Sequence, residues 1–200
     1  MNLWSQAQNS DRWTIFRQSN HGHNTLVIDC QLQRASGHGK IVDFSDDAAY
    51  PHTVVDLSKV YEGQVKTALR GIALLASREV LIQDELKGLK PCSRVRWGMI
   101  TPGEPRDLGG PAIELRRQDA RLAIRILSPQ ASKWQTIDTA KPRNQWDSPN
   151  PGTRMVAFES VAPASGELIL AVLATPGSRK ESAQPKLKLQ PLEDWRRIRR

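Results

Sequence analysis

The sequence predicts an all-β fold, an antiparallel β-sandwich, and three observations point there. Helical periodicity is almost absent along the 200 residues. Thirteen glycines and thirteen prolines break the chain at short intervals. Between these breakers lie short runs rich in Val, Ile, Leu, Thr and Trp, which suit a pleated, half-buried surface.

Taken in order, strands are expected over residues 12–17, 25–29, 40–44, 65–75, 79–86, 94–99, 112–116, 122–127, 155–160 and 167–175. Thr25-Leu-Val-Ile-Asp29 is apolar on both faces, as a strand deep within a sandwich would be. Residues 65–75 and 79–86, joined through Ala76-Ser-Arg78, read as a long hairpin. In Leu122-Ala-Ile-Arg-Ile-Leu127, Leu122, Ile124 and Ile126 share one face while Arg125 points away. The Pro/Asn-rich stretch 142–152 is a loop rather than a boundary, because strands resume after it. Residues 1–176 are therefore expected to form one sandwich domain. Residues 177–200 would hold a polar connection, a further strand near 186–189, and a basic tail ending in Trp195-Arg-Arg-Ile-Arg-Arg200 that is expected to lie in solvent.

Composition bounds the function. Hydrophobic residues make up 38% and charged residues 25%, a globular rather than disordered balance. The net charge of +8 favours an acidic partner: nucleic acid, an anionic membrane or an acidic polysaccharide. Aromatics are only 6% and no RRM, KH or OB signature is present, which argues against nucleic acid. The longest apolar run, Ile169-Leu-Ala-Val-Leu-Ala174, is far short of a membrane span. The first residues lack a basic and an apolar region, so a domain working outside the cytoplasm would take its export signal from upstream sequence. Cys30 and Cys92 match no zinc or redox spacing and are expected to be buried free thiols.

The densest polar cluster is Asn20-His21-Gly22-His23-Asn24, set directly before the apolar run. If strand geometry begins early, His21 and His23 project from one face. They could then share a metal, or one could hold a metal while the other moves a proton. They could equally be solvated loop histidines. Asp43, inside the apolar run Lys40-Ile-Val-Asp-Phe44, is costly there unless paired or ligating, and would complete an Asp/His set with His23. Gly37-His-Gly-Lys40 lacks the rest of a phosphate loop, and no nucleophile elbow or Cys/His pair occurs.

The order of motifs resembles one family. Arg12-Trp13, then Arg17-Gln-Ser-Asn-His-Gly-His-Asn-Thr-Leu-Val-Ile-Asp29, resembles the start of the C-terminal β-domain of the heparinase II/III-like polysaccharide lyases. The likeness continues through Gly39–Phe44, Asp56–Tyr61, Val65–Leu75, Val80–Glu85 and Val95–Met99, and more loosely through Pro191–Trp195. It implies a β-domain that, with an N-terminal α/α toroid, cleaves uronic-acid-containing polysaccharide by β-elimination in the periplasm or cell envelope. By position, it gives His21 a place in the substrate cleft and Tyr61 a part in proton transfer. His23 and Asp43 match two of three zinc ligands, while Asn24 would support the histidine segment at the substrate side. The third zinc ligand is a histidine where this chain reads Leu69-Arg-Gly-Ile72, so Arg70 would stand in as a fixed positive charge toward substrate.

Overall fold

The computed structural model describes residues 3–75, 78–177 and 187–198. Its strands are β1 (Leu26–Ile28), β2 (Lys40–Ser45), β3 (His52–Asp56), β4 (Thr67–Leu74), β5 (Val80–Lys87) and β6 (Arg94–Thr101). They continue with β7 (Glu104–Asp107), β8 (Ala112–Arg117), β9 (Ala120–Ser128), β10 (Gln135–Asp138), β11 (Arg154–Val161) and β12 (Glu167–Pro176). Two antiparallel sheets result. The larger runs β2-β3-β4-β5-β12-β9-β8-β7 and the smaller β1-β6-β11-β10. The expected antiparallel sandwich is what forms.

The period-2 pattern decides which side chains meet between the sheets. Leu26, Ile28, Val95, Trp97, Val156 and Phe158 enter the core from the smaller sheet. Ala68, Leu86, Ile124, Ile126, Leu170 and Val172 enter it from the larger. The Trp97 and Phe158 rings stack with centroids 5.7 Å apart, and Trp134 closes edge-on against both.

Four sheet strands cannot roof eight. Opposite one another on the inner face of the larger sheet lie Phe44, Thr53, Ile72 and Ile82. Ile82 packs on the core, whereas Phe44 is 67% exposed and Ile72 40%. Ile41 and Leu74, on the same face, are also exposed. An apolar shelf on β2–β4 thus extends beyond the edge of the smaller sheet.

Several expectations need correction. Residues 12–17 form two short 3-10 turns, Asp11–Thr14 and Phe16–Gln18, instead of a strand. Ser10 caps the first by accepting from the Arg12 N–H, and among the described residues no strand pairs with this segment. Of the strand expected near 186–189, residue 186 lies outside the described residues and 187–189 have no regular structure. Of the basic end, residues 199 and 200 lie outside the described residues, and the part before them is docked rather than free. Leu192–Arg197 is a 3-10 turn, and Leu192 and Trp195 are buried on the outer face of the larger sheet against Tyr50, Val54, Ala73 and Leu81. Gly71 makes this approach feasible, since a Cβ there would lie 2.3 Å from Leu192 Cδ2. Buried Gln83 donates to the Gln190 carbonyl, and Glu85 accepts from the Leu192 N–H. Cys30 and Cys92 are free, as expected, but exposed rather than buried. Both sit in turns at positive φ, not inside strands.

Candidate active site

The histidine segment does not extend β1. Asn20–Gly22 is a 3-10 turn and only His23 is extended, so the two rings do not share a strand face. Asn20 anchors the turn by donating to the Gln31 carbonyl, and Arg96 on β6 donates to the His21 carbonyl at 3.2 Å. His21 itself lines a cavity of about 280 Å³ with Trp13, Phe16, Ser19, Leu32 and Arg143. Partial burial lowers the His21 pKa from its ordinary 6.5, and the charges of Arg96 and Arg143 lower it further. At neutral pH its ring is therefore uncharged, with one nitrogen free to act as a base. His23 is exposed, its Nε2 3.2 Å from the Arg17 carbonyl oxygen.

The other expected residues are engaged elsewhere. Arg70 grips Asp84 through Nε and Nη2 at 2.7 and 2.9 Å, and its Nη1 donates to the Asn24 carbonyl at 3.0 Å. All three nitrogens of the fork have partners. The Asn24 side chain accepts from the Ile100 N–H at 2.7 Å, which ties the histidine segment to β6. Tyr61 is fully buried. Its hydroxyl donates to the Leu26 carbonyl, accepts from the Leu26 N–H and the Gln33 amide, and meets Thr25 Oγ1 at 2.8 Å. Burial raises its pKa above 10, outweighing the hydrogen bonds that oppose it. It sits as a clamp on the start of β1 and does not line the cavity.

Asp43 is paired with His52, a residue the sequence reading passed over. The bulge between Ile41 and Asp43 turns the carboxylate toward β3, where Oδ2 lies 3.3 Å from His52 Nε2. His52 Nδ1 donates to the Tyr50 carbonyl, and its ring packs edge-on against Trp195. This pair belongs to the outer face of the larger sheet. The His21 cavity lies on the outer side of the smaller sheet, with the core between.

No family model and no curated protein sequence matches the chain. Solved structures do. A heparinase III with methylated lysines superposes with a TM-score of 0.64 at 14% identity, over 82% of this chain and 25% of that one. Heparan sulfate lyase HepC from Pedobacter heparinus gives 0.61 at 12% identity, over 79% and 25%. Another heparinase III gives 0.63 at 14%, over 80% and 24%. The chain has the sandwich fold of the heparinase III structures. It spans about a quarter of the length of each.

In this heparinase-type sandwich the expected zinc set is not assembled. His23 and Asp43 have separate partners, and no group of three or more His, Cys, Asp or Glu side chains is gathered among the described residues. Zinc needs three or four such ligands within about 2.0–2.3 Å, so the residues present do not fit it. What the fold does bring together is His21, Arg96, Arg143, Trp13 and Phe16. His21 was singled out from the sequence and Trp13 entered with the motif order, while the other three were missed; of those, Arg96 alone carries a signal, as the outward charge between inward Val95 and Trp97.

Proposed function

We propose that this chain is the β-domain of a polysaccharide lyase that cleaves uronic-acid-containing polysaccharide by β-elimination. A helical toroid on another part of the protein would complete the site, and the periplasm or cell envelope is where such a substrate is met. The observation that carries the reading is a neutral histidine that shares an aromatic-walled cavity with Arg143 and is held through its backbone carbonyl by Arg96, on a heparinase-type sandwich.

The chemistry asks for this combination. The proton α to a uronate carboxylate is a very weak acid, so its removal needs a positioned base and cations that hold the enolate-like charge. His21 would move the proton while the arginines meet the carboxylate. The apolar shelf of Phe44, Ile72 and Leu74 further supports a companion domain, because monomers rarely leave a core-facing patch open to water.

A second reading, a non-catalytic module for anionic glycan, is favoured by the internal engagement of Tyr61 and Arg70. One experiment separates the two. The chain, alone and within a product carrying the toroid, is incubated with heparan sulfate, alginate or hyaluronan while the ultraviolet absorbance of unsaturated uronate is followed. Absorbance that His21→Ala abolishes supports the lyase. Retention on immobilised heparin without absorbance in either form supports the binding module. Neither retention nor absorbance sinks both.

A further inference from the structure

Arg96 carries an imbalance that the contacts around His21 do not resolve. One guanidinium nitrogen donates to the His21 carbonyl, but its Nε–H is buried and has no partner among the described residues. Its cross-strand neighbour is Glu159, yet that carboxylate is engaged by Arg94 at 2.6 Å. Close by is Arg143, whose guanidinium lies over the Phe16 ring at 4.1 Å. The carboxylate on that loop, Asp147, accepts from the backbone N–H groups of Phe16 and Arg143 at 2.7 and 3.1 Å. The two guanidiniums thus meet the same segment, Arg96 at the His21 carbonyl and Arg143 on the cavity wall with His21 and Phe16, and the neighbouring carboxylates are engaged elsewhere. After burial, it is the Arg143 charge that most depresses the Arg96 pKa.

An unpaired buried donor and a like-charge pair both oppose folding. A surface that keeps the two together has the electrostatics of a site whose counter-ion comes from outside. We propose that Arg143, on the cavity wall, and Arg96, behind the His21 turn, form the two sides of a seat for an oxyanion that enters the cavity beside His21. Guanidinium forks match carboxylate and sulfate oxygens in pairs. If the proposed function holds, the oxyanion is a uronate carboxylate or a sulfate half-ester, and Trp13 and Phe16 form the apolar wall under its sugar ring. About 280 Å³ is just below the range of small-molecule pockets, about 300–1,000 Å³, and suits one sugar unit rather than a length of chain.

Affinity of the full chain is measured for a size-defined heparan sulfate oligosaccharide and its fully desulfated counterpart, using wild type, Arg96→Gln, Arg143→Gln and the surface control Arg117→Gln. Each seat variant binds about tenfold or more weakly, the loss of one charged hydrogen-bonding group, while Arg117→Gln binds as wild type. Weakening on the sulfated chain alone assigns a sulfate, and weakening on both assigns the carboxylate. Arg143 is exposed, so its variant folds even where Arg96→Gln fails to. In parallel, inorganic sulfate is titrated while the Arg96 Nε–H resonance is followed by NMR. The resonance shifts and saturates in wild type and stays fixed in Arg143→Gln. A sulfate response without glycan binding keeps the seat and sinks the glycan reading. Uronate elimination with an unmoved resonance and unweakened variants overturns the seat alone.

Discussion

If Arg70 is a structural residue, removing either member of the Arg70–Asp84 pair must cost far more than removing both. The Asp84 side chain is 1% exposed and that of Arg70 15%, and two parallel N–H···O bonds join them. Burial pushes the Asp84 carboxyl up while Arg70 draws it back. Burial likewise works against the Arg70 cation, and the Asp84 charge overcomes it, leaving the guanidinium pKa raised. We read the pair as ionised, because the fork geometry fits a carboxylate. Breaking a buried pair by deleting one partner costs about 3–5 kcal/mol, whereas an apolar pair of similar volume is near neutral. For a chain of this size each kcal/mol moves Tm by about 2–4 °C. Arg70→Met and Asp84→Leu should each lower Tm by about 6–20 °C, and the double variant should recover most of that. Thermal melts by circular dichroism and urea unfolding supply the cycle. A cost below about 1 kcal/mol for Arg70→Met would refute the reasoning, and would mean that the cation is loose enough to meet substrate.

Three further outcomes follow from the same contacts. Trp195→Ala, which empties a site under Tyr50 and His52, should cost about 3–5 kcal/mol and open residues 187–198 to proteases; an unchanged melt would mean the end of the chain is not docked. Tyr61→Phe should cost about 1–3 kcal/mol at pH 8 by leaving the Leu26 backbone groups unpaired. Because the folded Tyr61 pKa is raised, wild-type stability is full below pH 10 and falls as pH rises through the folded value, so the gap to Tyr61→Phe should narrow in urea unfolding above pH 10; a constant gap would contradict the buried hydroxyl. Both cysteines are exposed and unpaired, so a thiol reagent should titrate two groups in the native protein, and a count of zero would mean a disulfide.

Most of the sandwich was legible because its strands bury one face and so carry a period of two. Where that constraint lapses, the signal lapses with it. β7 reads Glu104-Pro-Arg-Asp107 and lies at the edge of the larger sheet, where a proline is tolerated and little is buried. β10, Gln135-Thr-Ile-Asp138, is likewise an edge strand with one partner. β3 differs, for His52-Thr-Val-Val-Asp56 has strong β-branched character and was passed over between Pro51 and the polar residues after it. In 12–17, Trp13 and Ile15 alternate with polar residues, but alternation makes a strand only where another strand stands ready to pair.

The site obeyed a different logic. A pair of imidazoles two residues apart suggests a shared face only if the backbone between them is extended, and Asn20 prevents this by holding the segment in a 3-10 turn. Asp43 was rightly singled out as a carboxylate needing a partner, but the choice between His23 and His52 depends on a one-residue bulge that periodicity does not record. That bulge faces Asp43 to the outer side of the larger sheet, across the core from His21. The seat beside His21 was hidden for a simpler reason. Its parts come from residues 13–21, from β6 and from a proline-rich loop near Arg143, joined by contacts such as Asp147 to the Phe16 N–H that span 131 positions. A charge facing outward from a strand is ordinarily solvated; Arg96 becomes informative only once the segment that buries its Nε–H is in place.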